Sequence, residues 1–395
     1  MKKIFVIFLI IILFFAGNAY VLSKKNNIRT MDINYSIKGV YISYIEYLDN
    51  FQNNSVSLNK AYILKMLDNI ENLGFNSIFL HVSPFSDAIY NSSIMPSSYT
   101  ITGVEGKNLG MDYLDYFIEE AHKRNIRIHA WINPYRVSSV ADTEKLSNNN
   151  PALIFLNESE NAVKITKTGI YYNPANPKVL DLLLRQVHEL LINYDIDGIH
   201  LDDYFYPDSE IDLEEYNKYF LDNNVTLSDY RLNIINTTIK SIYKLIKDYN
   251  SNIIFSISPD GNIENNYEMY YADVKTWLSS DGYIDVIMPQ VYYGFDNNLK
   301  PFDKTIDEWN NLITNDVHLV PVLAFYKVGL IDNYAGSGKY EWINNSNIIT
   351  RQINYSKTLS HYNGFTLFRY DYLFNKNLIN NNTKSEIENL KLNLN

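Results

Sequence analysis

Cysteine is absent from all 395 residues, which excludes disulfides, cysteine-ligated zinc, iron–sulfur clusters, thiol catalysis and a lipidated N-terminal cysteine. Histidine is scarce, at seven residues, and no two stand four apart as metal ligands on one helix face do. That spacing argues against a metal-dependent deacetylase, and no catalytic metal or other cofactor is expected. Positive charge is in deficit: 34 Lys and Arg against 45 Asp and Glu give a net charge of −11, which disfavours nucleic acid as a partner. Tryptophan is limited to four, whereas tyrosine numbers 34, so a single tyrosine carries little information.

The N-terminus reads as an export signal. Lys2 and Lys3 precede an apolar run from Ile4 to Ala16, and Gly17-Asn18-Ala19 offers small residues where a signal peptidase cuts. If cleavage after Ala19 fails, the run continues through Leu22 and nearly spans a bilayer, with Lys24 and Lys25 beyond it. Either way the body is expected outside the cytoplasm, secreted, in the cell envelope, or tethered to the membrane through residues 4–22. The expected organisation is a signal peptide or anchor over 1–22, a linker over 23–36, a catalytic domain over 37–375 and a C-terminal helix or tail over 376–395.

Eight short β-rich runs alternate with amphipathic stretches, starting near Gly39, Asn76, Arg127, Asp197, Asn252, Tyr283, His318 and Gly364. Between them Ile63, Met66, Leu67 and Ile70 recur at helical spacing, as do Leu114, Phe117, Ile118 and Ala121. Leu180, Leu183, Leu184, Val187 and Leu191 repeat the pattern, followed by Ile235, Ile239, Ile242, Ile246 and Tyr249. Eight strand–helix units in series predict an α/β fold, a (β/α)8 TIM barrel. Helix-to-strand links such as Leu73-Gly74-Phe75 are short, while the links after strands two, three, four and seven are long. The long loops would share the C-terminal face, where barrels place their chemistry. Asn148-Asn149-Asn150 and the segment after Asn375 read as solvated surface.

The fourth strand is the most informative. In Gly198-Ile199-His200-Leu201-Asp202-Asp203-Tyr204, alternation puts His200 and Asp202 on one face and Ile199 and Leu201 on the other, with Asp203 at the strand exit. Carboxylates beside aromatic rings suit sugar chemistry, because acids move protons and stabilise an oxocarbenium-like transition state while rings stack on pyranose faces. Asp202 and Asp203 are therefore the first catalytic candidates, with Asp87, Asp260 and Glu46 in reserve. Neighbouring strand residues point opposite ways, so both serve one substrate only if the strand ends at Asp203. The plainer alternative is that Asp203 or Asp208 caps the next helix. Tyr172, Tyr204, Tyr206 and Tyr292 are candidate sugar platforms, and Arg136 a substrate clamp or a surface ion pair. His129 and most of the four tryptophans read as packing, and His200 as either a satisfied barrel-interior residue or a contact to a sugar hydroxyl or to Asp202.

Seven ordered blocks add to this: LGFNSIFLHVSPFSDAIYNSS from Leu73, IEEAHKRNIRIHAWINPYR from Ile118, YYNPANPKV from Tyr171, YDIDGIHLDDYFYP from Tyr194, SISPDGNI from Ser256, YADVKTWLSSDGYIDVIMPQVYYG from Tyr271 and LAFYKVG from Leu323. Over roughly Lys38 to Tyr372 the chain resembles the bacterial glycosyl hydrolase-like family 10 proteins. The resemblance implies a (β/α)8 barrel, a cell-envelope role and a polysaccharide partner such as the glycan strands of peptidoglycan. It also implies a site lined by Asp87, Asn133, Arg136, Asn173, His200, Asp202, Asp203, Gln290 and Lys327. Ser83 stands where the family resemblance leads one to expect arginine. A more distant similarity is to the α-amylase superfamily: Gly198-Ile199-His200-Leu201-Asp202 has the frame Gly-x-Arg-x-Asp, making Asp202 the nucleophile or base. There His200 replaces the arginine, and strand five ends in Ser258-Pro259-Asp260 rather than in a glutamate acid. The expected activity is an exported glycosidase; the alternative is a non-catalytic glycan-binding protein on a hydrolase-like barrel.

Overall fold

A computed structural model describes residues 35–158, 161–202 and 205–394 of the chain. The segment 4–22 and the two site candidates Asp203 and Tyr204 therefore lie outside the described residues.

Each of the eight β-rich runs becomes a strand: β1 (Ile37–Ile42), β2 (Ser77–Ser83), β3 (Arg127–Ile132), β4 (Gly198–Leu201), β5 (Ile254–Ile257), β6 (Val286–Ile287), β7 in two pieces (His318–Leu319 and Val322–Leu323) and β8 (Gly364–Leu367). All pair in parallel, in the order β7 first piece, β6, β5, β4, β3, β2, β1, β8, β7 second piece. The two ends of that series are one stretch of chain split at Val320-Pro321, so the sheet closes on itself. Proline has no N–H to give to a ladder, which interrupts the strand there. Closure is carried on either side by Val320 N–H to the Ile287 carbonyl at 3.0 Å and Thr366 N–H to the Pro321 carbonyl at 3.0 Å.

Outward-facing strand residues such as Val40, Ile78, Leu80, Ile128, Ile199 and Leu201 are fully buried under the helices. Helix α1 (Tyr44–Asn50) follows β1 and starts in a capping box between Ser43 and Glu46. Helix α2 (Val56–Leu73) buries Ile63, Met66, Leu67 and Ile70, as their spacing predicts, and stops at Gly74 with φ +93°. Helix α3 (Tyr113–His122) buries Leu114, Phe117, Ile118 and Ala121. In helix α4 (Pro177–Asn193) the buried face is rotated from the predicted one, to Val179, Leu182, Leu183, Gln186, Val187, Leu190 and Leu191, leaving Leu180 and Leu184 partly exposed. Leucine occurs on nearly every side of this helix, so periodicity alone does not choose a face. Gln186 does, by reaching Ser83 Oγ at 2.8 Å. Helix α5 (Leu227–Tyr249) buries Ile235, Ile239, Ile242 and Ile246 but leaves Tyr249 exposed.

Two surface expectations are not met. Asn150 is fully buried: its Oδ1 caps Ala152 N–H at 2.9 Å and its Nδ2 donates to Glu105 at 3.0 Å, while Asn148 and Asn149 are exposed. The chain after Asn375 takes the helical one of its two expected forms, helix α7 (Asn381–Leu394), but is packed on α6 (Ile348–Ser356) rather than solvated. Leu390 and Leu394 enter the core, and Glu386 accepts from Thr350 N–H at 2.8 Å and its hydroxyl at 2.7 Å. A Cβ at Gly74 would lie 3.1 Å from that of Leu394, so glycine there both ends α2 and admits the end of α7. The long loop after β3 also has structure of its own, a helix over Pro151–Asn157 and an antiparallel sheet of Arg136–Ser138, Gly169–Tyr172 and Val163–Thr166.

Candidate active site

Side chains facing the barrel axis are set in layers by strand register. Phe79 pairs with His129 and His129 with Gly198; one step up, His81 pairs with Trp131, Trp131 with His200 and His200 with Ser256. Alternation carries the series to Asn133 and Asp202 at the C-terminal mouth. Gly198 is small because His129 fills its space: a Cβ there would meet the ring Nδ1 at 2.3 Å. His129 is held flat on Phe79, centroids 4.5 Å apart at 14°. It belongs to packing, as the sequence indicates.

Over these layers opens a cleft of about 360 Å³. Among the described residues Asp202, 5% exposed, is the sole carboxylate that lines it. The Tyr44, Tyr292, Tyr326 and Tyr372 rings and that of Phe368 supply aromatic surface around it, and Arg136 and Arg369 supply cations. Arg136 lies over Phe85 at 4.4 Å and over Tyr44 at 5.4 Å. Of the residues expected from sequence, the structure thus brings Asn133, Arg136, Asp202, Gln290 and Tyr292 together.

His200 lies beneath the cleft rather than in it. It is fully buried, with Nε2 3.0 Å from Tyr41 Oη and Nδ1 2.8 Å from Ser256 Oγ. Burial, then the nearby His129, hold it well below the usual histidine range, so the ring is neutral. Tyr41 reaches the cleft, and through it His200 braces the floor.

The other strand-end acids are engaged elsewhere. Asp87 is fully buried and accepts from Phe85 N–H at 3.1 Å; desolvation pushes its carboxyl up to about 6. It folds the loop after β2 and does not line the cleft. Asp260 accepts from Asn262 N–H at 2.6 Å and closes a turn after β5. Glu46 accepts from Ser43 N–H at 2.8 Å and Ser43 Oγ at 2.6 Å, pairs with Arg369, and accepts from Asp371 N–H at 3.2 Å. This clamp ties α1 to the end of β8 and holds Ser43 and Arg369 at the cleft. Asp371 is fully buried behind it, its carboxyl pushed up to about 6 by desolvation and then by the Glu46 charge.

Tyr172, Asn173 and Lys327 are likewise set apart from the cleft. Tyr172 is buried with its hydroxyl 2.5 Å from Ser86 Oγ. Asn173 spans a turn, from Asn161 O at 2.8 Å to Ala175 N–H at 3.0 Å. Lys327 donates to Asp332 at 2.7 Å and to the Tyr292 carbonyl at 2.8 Å. In each case a partner in a long loop consumes the side chain, the loop after β2 for Tyr172 and their own loops for Asn173 and Lys327. Sequence reasoning did not place Tyr41, Tyr44, His81, Trp131, Tyr326 or Tyr372 at the cleft. The available signal was parity: His81 and Trp131 lie an even number of residues below the strand exits on the face that carries Asn133. Among the described residues no three His, Asp or Glu side chains converge to hold a metal ion.

An eight-stranded parallel barrel with a carboxylate among aromatic rings at its C-terminal mouth has the architecture of the barrel glycosidases. Residues 36–336 match the glycosyl hydrolase-like 10 family, and the chain belongs to it. It is 35% identical over 296 residues to glycosyl hydrolase YngK of Bacillus subtilis (strain 168), covering 69% of this chain and 57% of that protein. The chain therefore spans little more than half the length of that relative. With glycosyl hydrolase DigH of Escherichia coli (strain K12) it shares 28% identity over 386 residues, 89% of this chain and 86% of the other. Among solved structures, the endo-1,4-β-mannanase of Rhizomucor miehei superposes with a TM-score of 0.54 at 12% identity, over 92% of this chain and 96% of the mannanase. At that identity the likeness concerns the fold alone.

Proposed function

We propose that the chain is an exported glycosidase that cleaves glycosidic bonds in a cell-envelope polysaccharide, the glycan strands of peptidoglycan, with Asp202 as the carboxylate at the anomeric carbon. The observation that carries the reading is the position of Asp202, lining a cleft of aromatic rings above a floor braced by His200. In this reading Asp202 stabilises the oxocarbenium-like transition state as nucleophile or as base on water, and a second carboxylate, for which Asp203 is the first candidate, supplies the proton to the leaving oxygen. Membership of the family and the names of both relatives support glycoside hydrolysis; Lys2, Lys3 and the apolar run from Ile4 support export.

The test is incubation of the soluble body with intact and peptide-stripped peptidoglycan, with mass analysis of what is released. The wild type should release saccharides and Asp202→Asn should release none at the same protein concentration, with unchanged thermal unfolding. Asp203→Asn should be slow on the polymer yet recover on aryl glycosides whose leaving group needs no proton. Full activity of Asp202→Asn would remove the assignment.

A further inference from the structure

One wall of the cleft carries polar atoms that are buried and have no hydrogen-bond partner among the described residues: both ring nitrogens of His81, Nε1 of Trp131 and Oδ1 of Asn133. The three side chains are 1%, 6% and 5% exposed. They form one cluster. His81 and Trp131 are opposite each other across β2 and β3, their rings stacked at 3.6 Å and 10°. Asn133 follows two residues on, its Nδ2 donating to the Pro84 carbonyl at 3.2 Å. Its amide favours the His81 cation slightly through a side-chain contact that falls short of hydrogen-bond geometry. Burial, and then the Arg136 charge, keep the His81 ring neutral, so it offers one donor and one acceptor.

The rest of the same layer is paired. His200, one strand further round in the same layer, has both nitrogens satisfied by Tyr41 and Ser256. A buried polar atom without a partner destabilises the fold, and four in one cluster would give way to apolar residues if packing were their purpose. Indole N–H can only donate and the Asn133 oxygen can only accept, so the wall requires a ligand group with an acceptor and a donor on separate, neighbouring atoms. An acetamido group is such a group, with a methyl that Tyr44, edge-on to His81 at 5.8 Å, can cover.

We propose that His81, Trp131 and Asn133 form a subsite that binds the N-acetyl group of a hexosamine, with His81 its specificity-determining residue. The inference rests on the cleft being the glycan site. It predicts that filling the wall with substrate satisfies atoms the folded protein leaves unpaired, so substrate affinity and stability move in opposite directions when His81 is replaced.

The experiment measures calorimetric binding of N-acetylchitotetraose and of cellotetraose, which lacks the acetamido groups, to the Asp202→Asn protein and to its His81→Phe and His81→Gln derivatives. Phenylalanine keeps the stack on Trp131 and removes both nitrogens; glutamine restores one donor and one acceptor. Expected are at least about tenfold tighter binding of the acetylated sugar, loss of that preference in His81→Phe with a melting temperature equal to or above that of its parent, and recovery of most of it in His81→Gln. An unchanged preference in His81→Phe overturns the inference alone. So does equal binding of the two sugars, or a His81→Phe protein that both melts lower and is not rescued by glutamine, which would mark a structural role. Binding of neither sugar by any of the proteins overturns the glycan reading together with the inference.

Discussion

Replacing Gly198 with alanine probes how the barrel interior positions Asp202. In an ordinary strand the exchange removes backbone freedom from the unfolded chain and is neutral or mildly stabilising. Here the new Cβ would lie 2.3 Å from His129 Nδ1 and 2.9 Å from the Ile254 carbonyl oxygen, about 1 Å inside normal contact in the first case. The ring has nowhere to go, since it is stacked on Phe79, which is stacked in turn on Tyr41 with centroids 5.1 Å apart. The Ile254 carbonyl belongs to the strand paired with Gly198. Relief must come from β4 itself. Overpacking of this kind costs about 1–3 kcal/mol, and we expect a value in the upper half of that range by urea unfolding. Asp202 lies four residues along the same face, so a displacement of the strand reaches the carboxylate, where a 1 Å error lowers turnover about 100-fold. His129→Ser should vacate the contested space and recover at least about 1 kcal/mol beyond additivity in the double variant. Strict additivity, to within about 0.5 kcal/mol, would refute the contact as the cause.

Arg231 and Asp212, 2% and 0% exposed, tie α5 to the loop that follows β4, with Arg231 Nε 3.0 Å from Asp212 and Nη2 2.6 Å from the Ser209 carbonyl. Arg231→Met leaves a buried carboxylate unpaired and should lower urea stability by about 3–5 kcal/mol, with Asp212→Leu restoring much of it. Desolvation, and then the Asp87 charge, push Glu105 up to about 7, so the native state binds its proton before the unfolded chain does as pH falls. This residue therefore makes stability rise as pH drops from about 7 to about 4.5, by at most about 3 kcal/mol. Glu105→Gln should flatten that part of the stability profile, and an unchanged slope would contradict it. Deleting residues 379–395 uncovers the sites of Leu390 and Leu394 and should lower stability by about 3–6 kcal/mol; a loss under about 1 kcal/mol would mean that α7 is not part of the core.

The barrel is legible because each strand lies in a short apolar run and each main helix has an apolar period, and these signals are local. That helix α7 packs on the core rather than lying on solvated surface was not legible, because asparagine dominates its start, while the i, i+4 pair Leu390 and Leu394 comes only in its last turns. At the site, Asp202 was legible from parity within a single strand. Asp87, Tyr172, Asn173 and Lys327 were misplaced for the opposite reason, since their positions depend on how long loops return, and Ser86, Asn161 and Asp332 draw them inward. Trp131 and His81 could be assigned to the axis-facing side but not to a height in the barrel. Height depends on register between β2 and β3, and that register includes an irregularity between His81 and Ser83 which one sequence does not disclose.

The polar interior shows how one barrel divides stability from binding. A barrel axis is usually filled by branched aliphatic side chains. Here Phe79 and His129 fill the lower layer by stacking, and the layer above divides in two. On the β4 and β5 side, His200 bonds to Tyr41 and Ser256 and so links strands β1, β4 and β5 directly under Asp202. On the β2 and β3 side, His81 and Trp131 stack without satisfying their polar atoms. The carboxylate is thus mounted on the cross-linked half, where its geometry does not depend on a ligand, while the half with unpaired groups faces the same cleft. An enzyme arranged this way can use ligand contacts on one wall without letting that wall's adjustment displace Asp202. Tyr41→Phe would expose the division: it breaks the link to His200, so it should lower turnover while leaving the affinity of the β2 and β3 wall for substrate unchanged. A loss of affinity with turnover preserved would show that the two halves are not separable.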